Sequence, residues 1–319
     1  MKRFLFLSFA SLLSLQIFAQ NGSTVEPAFT FLKNYPNVRD LTISTSGDEA
    51  YFTVQSPLEE LGAIACIRKE DGKWLEPVLV DFTGRWRDLE PSLSPNGLRL
   101  YFSSNRPRND TSKQAADYDI WYVERKTTRS NWSTPINPGA PVNTEHDEFY
   151  PSLALSGNLY FTSERLDTKG KDDIYVSEWK TDRYAEPHSL DTTINSDGYD
   201  FNSFVAPDES YLLYTGYNRK NGMGSGDLYI SFRDAKGHWL PAVPLGKNVN
   251  SKQMDYCPFV DTKTSTLYFT SRRSIFPEKK FVSLKDFEST VLGFENGFSR
   301  IYRTSLSELL KKGKLRSVH

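Results

Sequence analysis

Cysteine is nearly absent from this 319-residue sequence, which contains only Cys66 and Cys257. Two cysteines allow one disulfide at most, so the chain is not a small scaffold that depends on several bridges. The repeat described below assigns Cys66 to a third strand and Cys257 to an innermost strand, which is expected to keep their side chains apart. We interpret both as buried thiols, with a disulfide in an oxidising compartment as the alternative.

Signatures of metal, cofactor and serine-hydrolase sites are also missing. The four histidines show no ligand spacing, and the glycine-rich stretch 221–226 is not followed by the helix that a phosphate cradle requires. There is no Gly-x-Ser-x-Gly elbow, because Met223 and Asp227 occupy the two glycine positions around Ser225. The sequence therefore predicts no metal and no cofactor.

Neither sign of charge dominates the chain, which has 39 basic and 40 acidic residues and a net charge of −1. A nucleic-acid or membrane-surface partner would require a basic excess. We therefore expect a protein, peptide or glycan partner and no nucleic acid.

Long apolar runs are confined to the N-terminus. Lys2 and Arg3 precede an apolar stretch from Phe4 to Phe18, and the small residue Ala19 follows. This pattern predicts a secretory signal peptide over residues 1–19, cleaved after Ala19, and a periplasmic or secreted mature protein. No later run approaches the ~18 apolar residues of a membrane-spanning helix.

What the sequence does contain is a repeat with a period near 54 residues. Its marker is an aromatic pair on a strand, and successive copies lie 50, 59, 53 and 55 residues apart: Tyr51-Phe52, Tyr101-Phe102, Tyr160-Phe161, the degenerate Leu213-Tyr214, and Tyr268-Phe269. A fixed period of this length, filled with short alternating strands, is typical of a propeller of four-stranded blades. The predicted fold is an all-β propeller of antiparallel blades over residues 38–304, with five visible copies.

A tryptophan recurs after the third strand of three copies, at Trp74, Trp132 and Trp239. A large ring at this register is best explained by packing between adjacent blades at the outer rim.

The copy that runs Asn143-Thr-Glu-His-Asp-Glu-Phe-Tyr-Pro-Ser-Leu153, then Leu159-Tyr-Phe-Thr-Ser-Glu-Arg165 and Asp173-Ile-Tyr-Val176, resembles the WD-like repeats of TolB-type exported bacterial propellers. The resemblance implies a scaffold of the cell envelope that binds a ligand or a protein. It carries fold more than activity. TolB-type propellers often have six blades, so we predict five blades with six as the alternative.

The two ends of the predicted propeller bear on ring closure. Residues 305–319 show a capping-box spacing with leucines at helical intervals, which predicts a tail or a short helix in place of an outer strand. Residues 20–37 form an N-terminal segment, of which 27–33 are a candidate ring-closing strand.

Two charged positions recur in register. An acid stands before the innermost strand of four copies, at Asp88, Glu148, Asp200 and Asp255, and an arginine follows the second strand of three copies, at Arg106, Arg165 and Arg273. Both positions are expected at the same face of the ring. One interpretation is that each arginine bridges an acid or backbone carbonyls and holds neighbouring blades together. The alternative is a glycosidase-like site built from some of the four acids.

Two connections between second and third strands break the repeat, at 107–118 and 274–299. The second is rich in phenylalanine, with Phe276, Phe281, Phe287, Phe294 and Phe298. Long connections often carry function, and both are expected on the face with the acids and arginines. The phenylalanines predict either a satellite core or an exposed partner site.

We therefore predict an exported, non-enzymatic propeller that binds an envelope protein, a peptide or a glycan through this face. The predicted binding residues are the three arginines together with Phe276, Phe281, Phe287 and Phe294. The alternatives are a five-bladed glycoside hydrolase that uses Asp88, Glu148, Asp200 or Asp255, and a purely structural module.

Overall fold

The computed structural model describes residues 24–109 and 112–316 of the chain. The predicted signal peptide lies outside these residues. Within the described ranges, no helix combines the length and the apolar character needed to cross a membrane.

Five antiparallel blades, built on a four-stranded plan, form a propeller, as predicted. Strand β1 (Glu26–Pro27) belongs to the last blade. The three inner strands of each blade follow in chain order: β2 (Asn37–Ile43), β3 (Glu49–Gln55) and β4 (Gly62–Glu70); β7 (Asp88–Leu93), β8 (Arg99–Ser104) and β9 (Asp119–Glu124); β10 (Glu148–Leu153), β11 (Leu159–Ser163) and β12 (Asp173–Ser177); β16 (Tyr199–Val205), β17 (Tyr211–Tyr217) and β18 (Gly226–Phe232); β20 (Asp255–Asp261), β21 (Thr266–Ser271) and β22 (Arg300–Ser305).

The outer edges of the blades are short and differ from one another. Their strands are β5 (Lys73–Trp74) and β6 (Val78–Leu79) in blade 1, β13 (Trp179–Lys180), β14 (Arg183–Tyr184) and β15 (His188–Ser189) in blade 3, and β19 (Val243–Pro244) in blade 4. In blade 2 a single bridge between Tyr122 and Ile136 takes the place of the outer strand. Two helices, α1 (Leu284–Val291) and α2 (Ser307–Arg316), complete the described chain.

The innermost strands share one irregularity, a β-bulge at the same register in all five blades. The bulged residue has a positive φ in every case, between 48° and 60°: Asp40, Glu90, Tyr150, Asn202 and Cys257. None of these is glycine, so each pays a conformational cost that the surrounding contacts must offset.

The bulge turns its backbone N–H outward to a hydroxyl on the second strand of the preceding blade. The N–H of Glu90 donates to Thr53 at 3.0 Å, and the N–H of Tyr150 donates to Ser103 at 3.2 Å. Asn202 and Asp40 repeat the bond to Thr162 and Thr270. Four of the five blade junctions are therefore linked by the same buried hydrogen bond.

The outer rim is sealed by aromatic rings, as the recurring tryptophans predict. Trp132 of blade 2 donates its indole N–H to the hydroxyl of Tyr51 in blade 1 at 3.0 Å. Trp239 of blade 4 packs edge-on against Tyr160 of blade 3, with ring centroids 6.5 Å apart. Each ring reaches the second strand of the preceding blade and fills the gap between the two sheets.

The ring is closed by the N-terminal segment. Strand β1 pairs antiparallel with β22 and supplies the outer edge of blade 5. The strand is shorter than the candidate range 27–33, because Phe29 has a φ of 52° and the chain then forms a 3-10 helix over Thr30–Asn34. Helix α2 packs against blades 4 and 5, where Gly313 lies so close to the ring of Phe232 that no Cβ would fit.

The buried side chain of Arg300 binds the backbone of the N-terminal segment that closes the ring. This side chain is 3% exposed and forms no ion pair among the described residues. Its guanidinium instead donates to the backbone carbonyls of Lys33, Tyr35 and Pro36, the last at 2.8 Å. These three carbonyls end the 3-10 helix and lead into β2, so one side chain fixes the junction of blades 5 and 1.

Replacing Arg300 with methionine tests this junction. Methionine keeps most of the apolar volume but leaves three carbonyls without donors, so we expect the free energy of unfolding to fall by about 2–3 kcal/mol. Urea denaturation followed by tryptophan fluorescence measures the change. Arg303→Met, which removes an exposed pair with Glu26 on the same strand, is the matched control and should cost about 0–1 kcal/mol. Equal effects of the two variants would contradict this role of Arg300.

Candidate functional site

The two faces of the ring differ in their connections. The lower face carries the tight hairpins between first and second strands, at 44–48, 94–98, 154–158, 206–210 and 262–265. The upper face carries the connections between second and third strands, at 56–61, 105–118, 164–172, 218–225 and 272–299. All predicted acids, arginines and phenylalanines stand at strand ends or connections of the upper face.

Each repeat-equivalent acid forms an ion pair with an arginine of its own blade. The closest nitrogen–oxygen distances are 2.6 Å for Arg106–Asp88, 3.5 Å for Arg165–Glu148, 2.5 Å for Arg219–Asp200 and 3.1 Å for Arg273–Asp255. Each arginine also donates to a carbonyl of the segment that arrives from the preceding blade, at Phe82, Pro141 and Val142, Ile194, and Val249. The arginine therefore ties its blade to the preceding one.

The acids use their remaining oxygens as well. In blade 4, Asp200 accepts from the backbone N–H and the hydroxyl of Ser196. In blade 3, Glu148 accepts from Thr144 in the same manner. All four carboxylates are fully buried. Burial raises the pKa of Glu148, Asp200 and Asp255, and these hydrogen bonds and the arginines offset part of the rise. None of the four has an oxygen open to a substrate.

Sequence reasoning missed Arg219, the arginine of blade 4. Counting from the degenerate pair Leu213-Tyr214 gives Asn218, but Asn218 has a φ of 50° and displaces the register by one residue. It also missed a buried asparagine five residues before three of the acids: Asn143, Asn195 and Asn250. Asn143 exchanges two hydrogen bonds with the backbone of Ile120 in the preceding blade. The spacing of asparagine to acid was visible in the sequence as a repeated signal.

Blade 1 lacks the acid–arginine pair. At the register where Asp88 pairs with Ser104 in blade 2, Val38 pairs with Val54 in blade 1. The charge pattern of the upper face is thus interrupted at the blade that meets the closing segment.

The axis of the ring is filled by side chains of the bulged register. Arg39 donates to Asp40 at 2.7 Å and to Glu90 at 3.0 Å, and its Nη2 lies 3.6 Å from the thiol of Cys257. The hydroxyl of Tyr150 in blade 3 donates to the carbonyl of Pro258 in blade 5 at 3.3 Å. Contacts between blades that are not neighbours close the axis. Both cysteines are free and buried, and burial raises the pKa of each thiol.

Below these axial side chains, at the lower face of the ring, lies a cavity of only about 90 Å³. It is lined by the innermost strand of each of the five blades. Pockets that hold small molecules usually enclose at least ~300 Å³. The axial cavity is therefore too small for a sugar ring, and the centre of the propeller is a packed core.

The 274–299 connection behaves differently. Helix α1 begins after Ser283, whose side chain accepts from the N–H of Asp286, and no residue of the helix is buried. Val282 is 85% exposed, Leu284 75%, Phe276 51% and Phe287 45%. Phe287 pairs with Phe281, with centroids 5.1 Å apart, whereas Phe294 packs on Tyr302 of the blade. Phe294 thus anchors the connection, Phe276 and Phe287 are exposed, and Phe281 is half-buried against Phe287.

Exposed apolar side chains are concentrated on the upper face. Besides the blade 5 connection, they include Leu58 and Leu61 of blade 1, Leu166 of blade 3 and Met223 of blade 4. Arg272 and Glu59 form an ion pair between blades 5 and 1, which brings Leu58 and Leu61 to the side of the long connection. On the hairpins of the lower face, Leu155 is the large apolar residue that is exposed among those described.

Comparison with solved structures supports the five-bladed fold. The chain is similar to the catalytic domain of a GH62 α-L-arabinofuranosidase from Coprinopsis cinerea, at 10% identity, a TM-score of 0.54, and coverage of 88% of this chain and 96% of that one. It is similar to an endo-arabinase from Bacteroides thetaiotaomicron, at 14% identity, a TM-score of 0.52, and coverage of 89% and 97%.

TolB structures are also among the structural neighbours. TolB from Acinetobacter baumannii aligns at 12% identity with a TM-score of 0.47. The alignment covers 84% of this chain and 54% of that protein, so this chain spans about half the length of TolB. No family model matches the sequence, and no curated protein is similar to it. These likenesses extend to the fold alone.

The buried cluster of Arg39, Asp40 and Glu90 at the axis predicts that the stability of the protein depends on pH. Burial raises the pKa of Glu90 from its ordinary 4.5 to about 6; Arg39 lowers it, and Asp40 raises it further. Because the pKa of Glu90 is higher in the folded state than in the unfolded state, protonation of Glu90 stabilises the fold. This contribution to the free energy of unfolding is fully present below pH 4.5 and is lost as pH rises through 6. Glu90→Gln should remove this dependence.

We expect the unfolding free energy of the native protein, relative to that of Glu90→Gln, to fall by about 2 kcal/mol between pH 4.5 and 7. Urea titrations at several pH values measure the difference. Glu308→Gln, which alters an exposed ion pair on α2, is the control and should give a difference from the native protein that does not change with pH. A pH-independent difference between native protein and Glu90→Gln would refute the shift.

Proposed function

We propose that this protein is exported to the periplasm or the cell exterior and binds a partner polypeptide through its upper face. The main contact is the apolar surface of the 274–299 connection, here called the insert surface: Ile275, Phe276, Val282, Leu284 and Phe287. The observation that carries the proposal is an amphipathic helix, α1, that buries none of its residues.

A helix with an apolar stripe normally buries that stripe against its own domain. Leu284, Phe287 and Val291 lie at helical spacing along α1, yet the first two are exposed on the domain. Contiguous exposed apolar residues on a monomeric domain mark interaction sites. Ion pairs and aromatic contacts hold neighbouring blades together, so the exposure of this surface does not reflect a loosely packed core.

The chemistry of the insert surface favours a polypeptide over the other ligands considered. Its side chains are aliphatic or phenyl groups, which gain from burial against another apolar surface and offer no hydrogen bonds to sugar hydroxyls. The charges around it are mixed: Lys279 pairs with Asp286, and Arg272 pairs with Glu59. A nucleic acid or an anionic membrane would require a basic surface here.

The acid–arginine pairs contribute to this function indirectly. Each pair and its carbonyl contact fix one blade against the preceding one, so the upper ends of the strands form a rigid platform. A long connection that leaves such a platform can present exposed side chains without destabilising the ring.

The double variant Leu284→Glu/Phe287→Glu tests the proposal, with Leu155→Glu as the matched control on the lower face. Because all three side chains are exposed, neither variant should change the melting temperature by more than a few degrees. A partner captured from envelope extract by the native protein is then purified, and its affinity is measured by calorimetry. We expect the control to bind normally and the double variant to bind at least about tenfold more weakly.

Unchanged affinity of the double variant would overturn the proposal. So would a large loss of melting temperature on truncating residues 276–296 without loss of the partner, because the connection would then serve as a satellite core.

A second candidate function is glycoside hydrolysis, and one observation favours it. Burial raises the pKa of Asp172 on the upper face to about 7, and the charge of Glu164 is the next cause. The Oδ1 atom of Asp172 is buried and forms no hydrogen bond. A carboxyl with a raised pKa is the general acid that a glycosidase requires. Hydrolysis of aryl glycosides that is lost in Asp172→Asn and Glu164→Gln would support this candidate against a binding role.

A further inference from the structure

A cleft of about 770 Å³ lies between blades 2 and 3 near the lower rim, away from the insert surface. Its volume falls in the range of small-molecule sites, ~300–1,000 Å³. The lower hairpins of the two blades, 94–98 and 154–157, contribute to its lining. Nothing in the proposed function uses this cleft.

The cleft is larger than the rim pockets beside Trp74 and Trp239, which measure about 430 and 280 Å³, and the aromatic residue of the rim is smaller at this junction. Trp74, Trp132 and Trp239 occupy one position in the outer hairpins of blades 1, 2 and 4, and the corresponding residue of blade 3 is Tyr184. The hydroxyl of Tyr184 meets that of Tyr101 in blade 2 at 3.0 Å, as Trp132 meets Tyr51. A smaller ring makes the same contact and leaves the space outside it open.

The two sides of the cleft have different chemistry. Blade 3 contributes apolar and aromatic groups, namely Leu155, Trp179 and Tyr184. Trp179 packs so closely on Gly157 that a side chain at position 157 would require it to move. Blade 2 contributes Arg99 and Glu124, a half-exposed pair 3.3 Å apart, together with Trp132 and the exposed Lys126. Arg125 also lines the cleft but is buried and paired with Glu49. The cleft thus offers an apolar wall opposite a paired donor and acceptor.

This combination suits a ligand with an apolar face, hydroxyl edges and little net charge, because Arg99 and Arg125 are paired and Lys126 is the remaining cation of the lining. A pyranose or furanose ring has that character, because its C–H face stacks on aromatic rings while its hydroxyls both donate and accept hydrogen bonds. A peptide fits less well. The backbone of the neighbouring edge strand β9 is occupied, since Tyr122 bonds with Ile136 and Glu124 with Ser133, so no peptide can add there as a strand.

We infer that the cleft between blades 2 and 3 is a binding site for a neutral oligosaccharide, with Trp179 and Tyr184 as the stacking wall and Arg99 and Glu124 as the hydroxyl-binding pair. The site is independent of the insert surface. It would let one propeller engage a glycan at its rim and a polypeptide on its upper face.

Calorimetric titration of the full chain with cello-, xylo-, arabino- and chito-oligosaccharides of two to six residues tests the inference. We expect at least one series to bind, and Glu124→Gln and Arg99→Gln each to weaken that binding by about tenfold or more, with unchanged melting temperatures because the pair is half exposed. Glu308→Gln, which alters an exposed pair on α2, is the control and should bind as the native protein does.

A variant truncated over residues 276–296 should retain the oligosaccharide, which separates this inference from the proposed function. Two results would overturn it: no binding of any of the four series at about 10 mM, or binding that neither Glu124→Gln nor Arg99→Gln weakens.

Discussion

The bulge in each innermost strand is the constraint on which the rest of this propeller depends. It places a non-glycine residue at positive φ five times around the axis, and in four of the five blades it turns a backbone N–H toward a hydroxyl of the preceding blade. A strained residue persists only where its surroundings over-determine it. Here those surroundings are the neighbouring blades, so the conformational cost is offset only when the ring is complete. The closing strand and Arg300 matter for the same reason.

The same constraint decides where function can be located. The bulged side chains converge on the axis and fill it, with Arg39 between Asp40 and Glu90 and with Tyr150 reaching across the ring. Farther out, the acids and arginines of four blades bind one another and the incoming backbone. A ring whose symmetric positions are all committed to structure leaves only its asymmetric parts for ligands. These parts are the long connection of blade 5 and the incompletely sealed junction of blades 2 and 3.

Much of the repeat-level architecture could be predicted because its signals are local and recur. The aromatic pairs counted five blades, and the tryptophans indicated the rim contacts that Trp132 and Trp239 make. The acids and arginines pointed to one face. Arg219 was not predicted, because Asn218, a residue with positive φ, shifts this arginine by one position from the register of the repeat. The bulges were not predicted, because the five bulged residues have the same backbone conformation but differ in side-chain chemistry. They are Asp40, Glu90, Tyr150, Asn202 and Cys257.

The sequence by itself determined that the chain forms five similar sheets, since period, strand alternation and turn residues act within a few residues of one another. Only the tertiary structure decided what each charged or apolar side chain contacts. Burial of Asp88 and its equivalents depends on segments that arrive from the preceding blade. Exposure of Leu284 and Phe287 depends on how the 274–299 connection lies relative to the blades that the structure describes. Such contacts join residues that the ring brings together from distant parts of the chain, so no local pattern could reveal them.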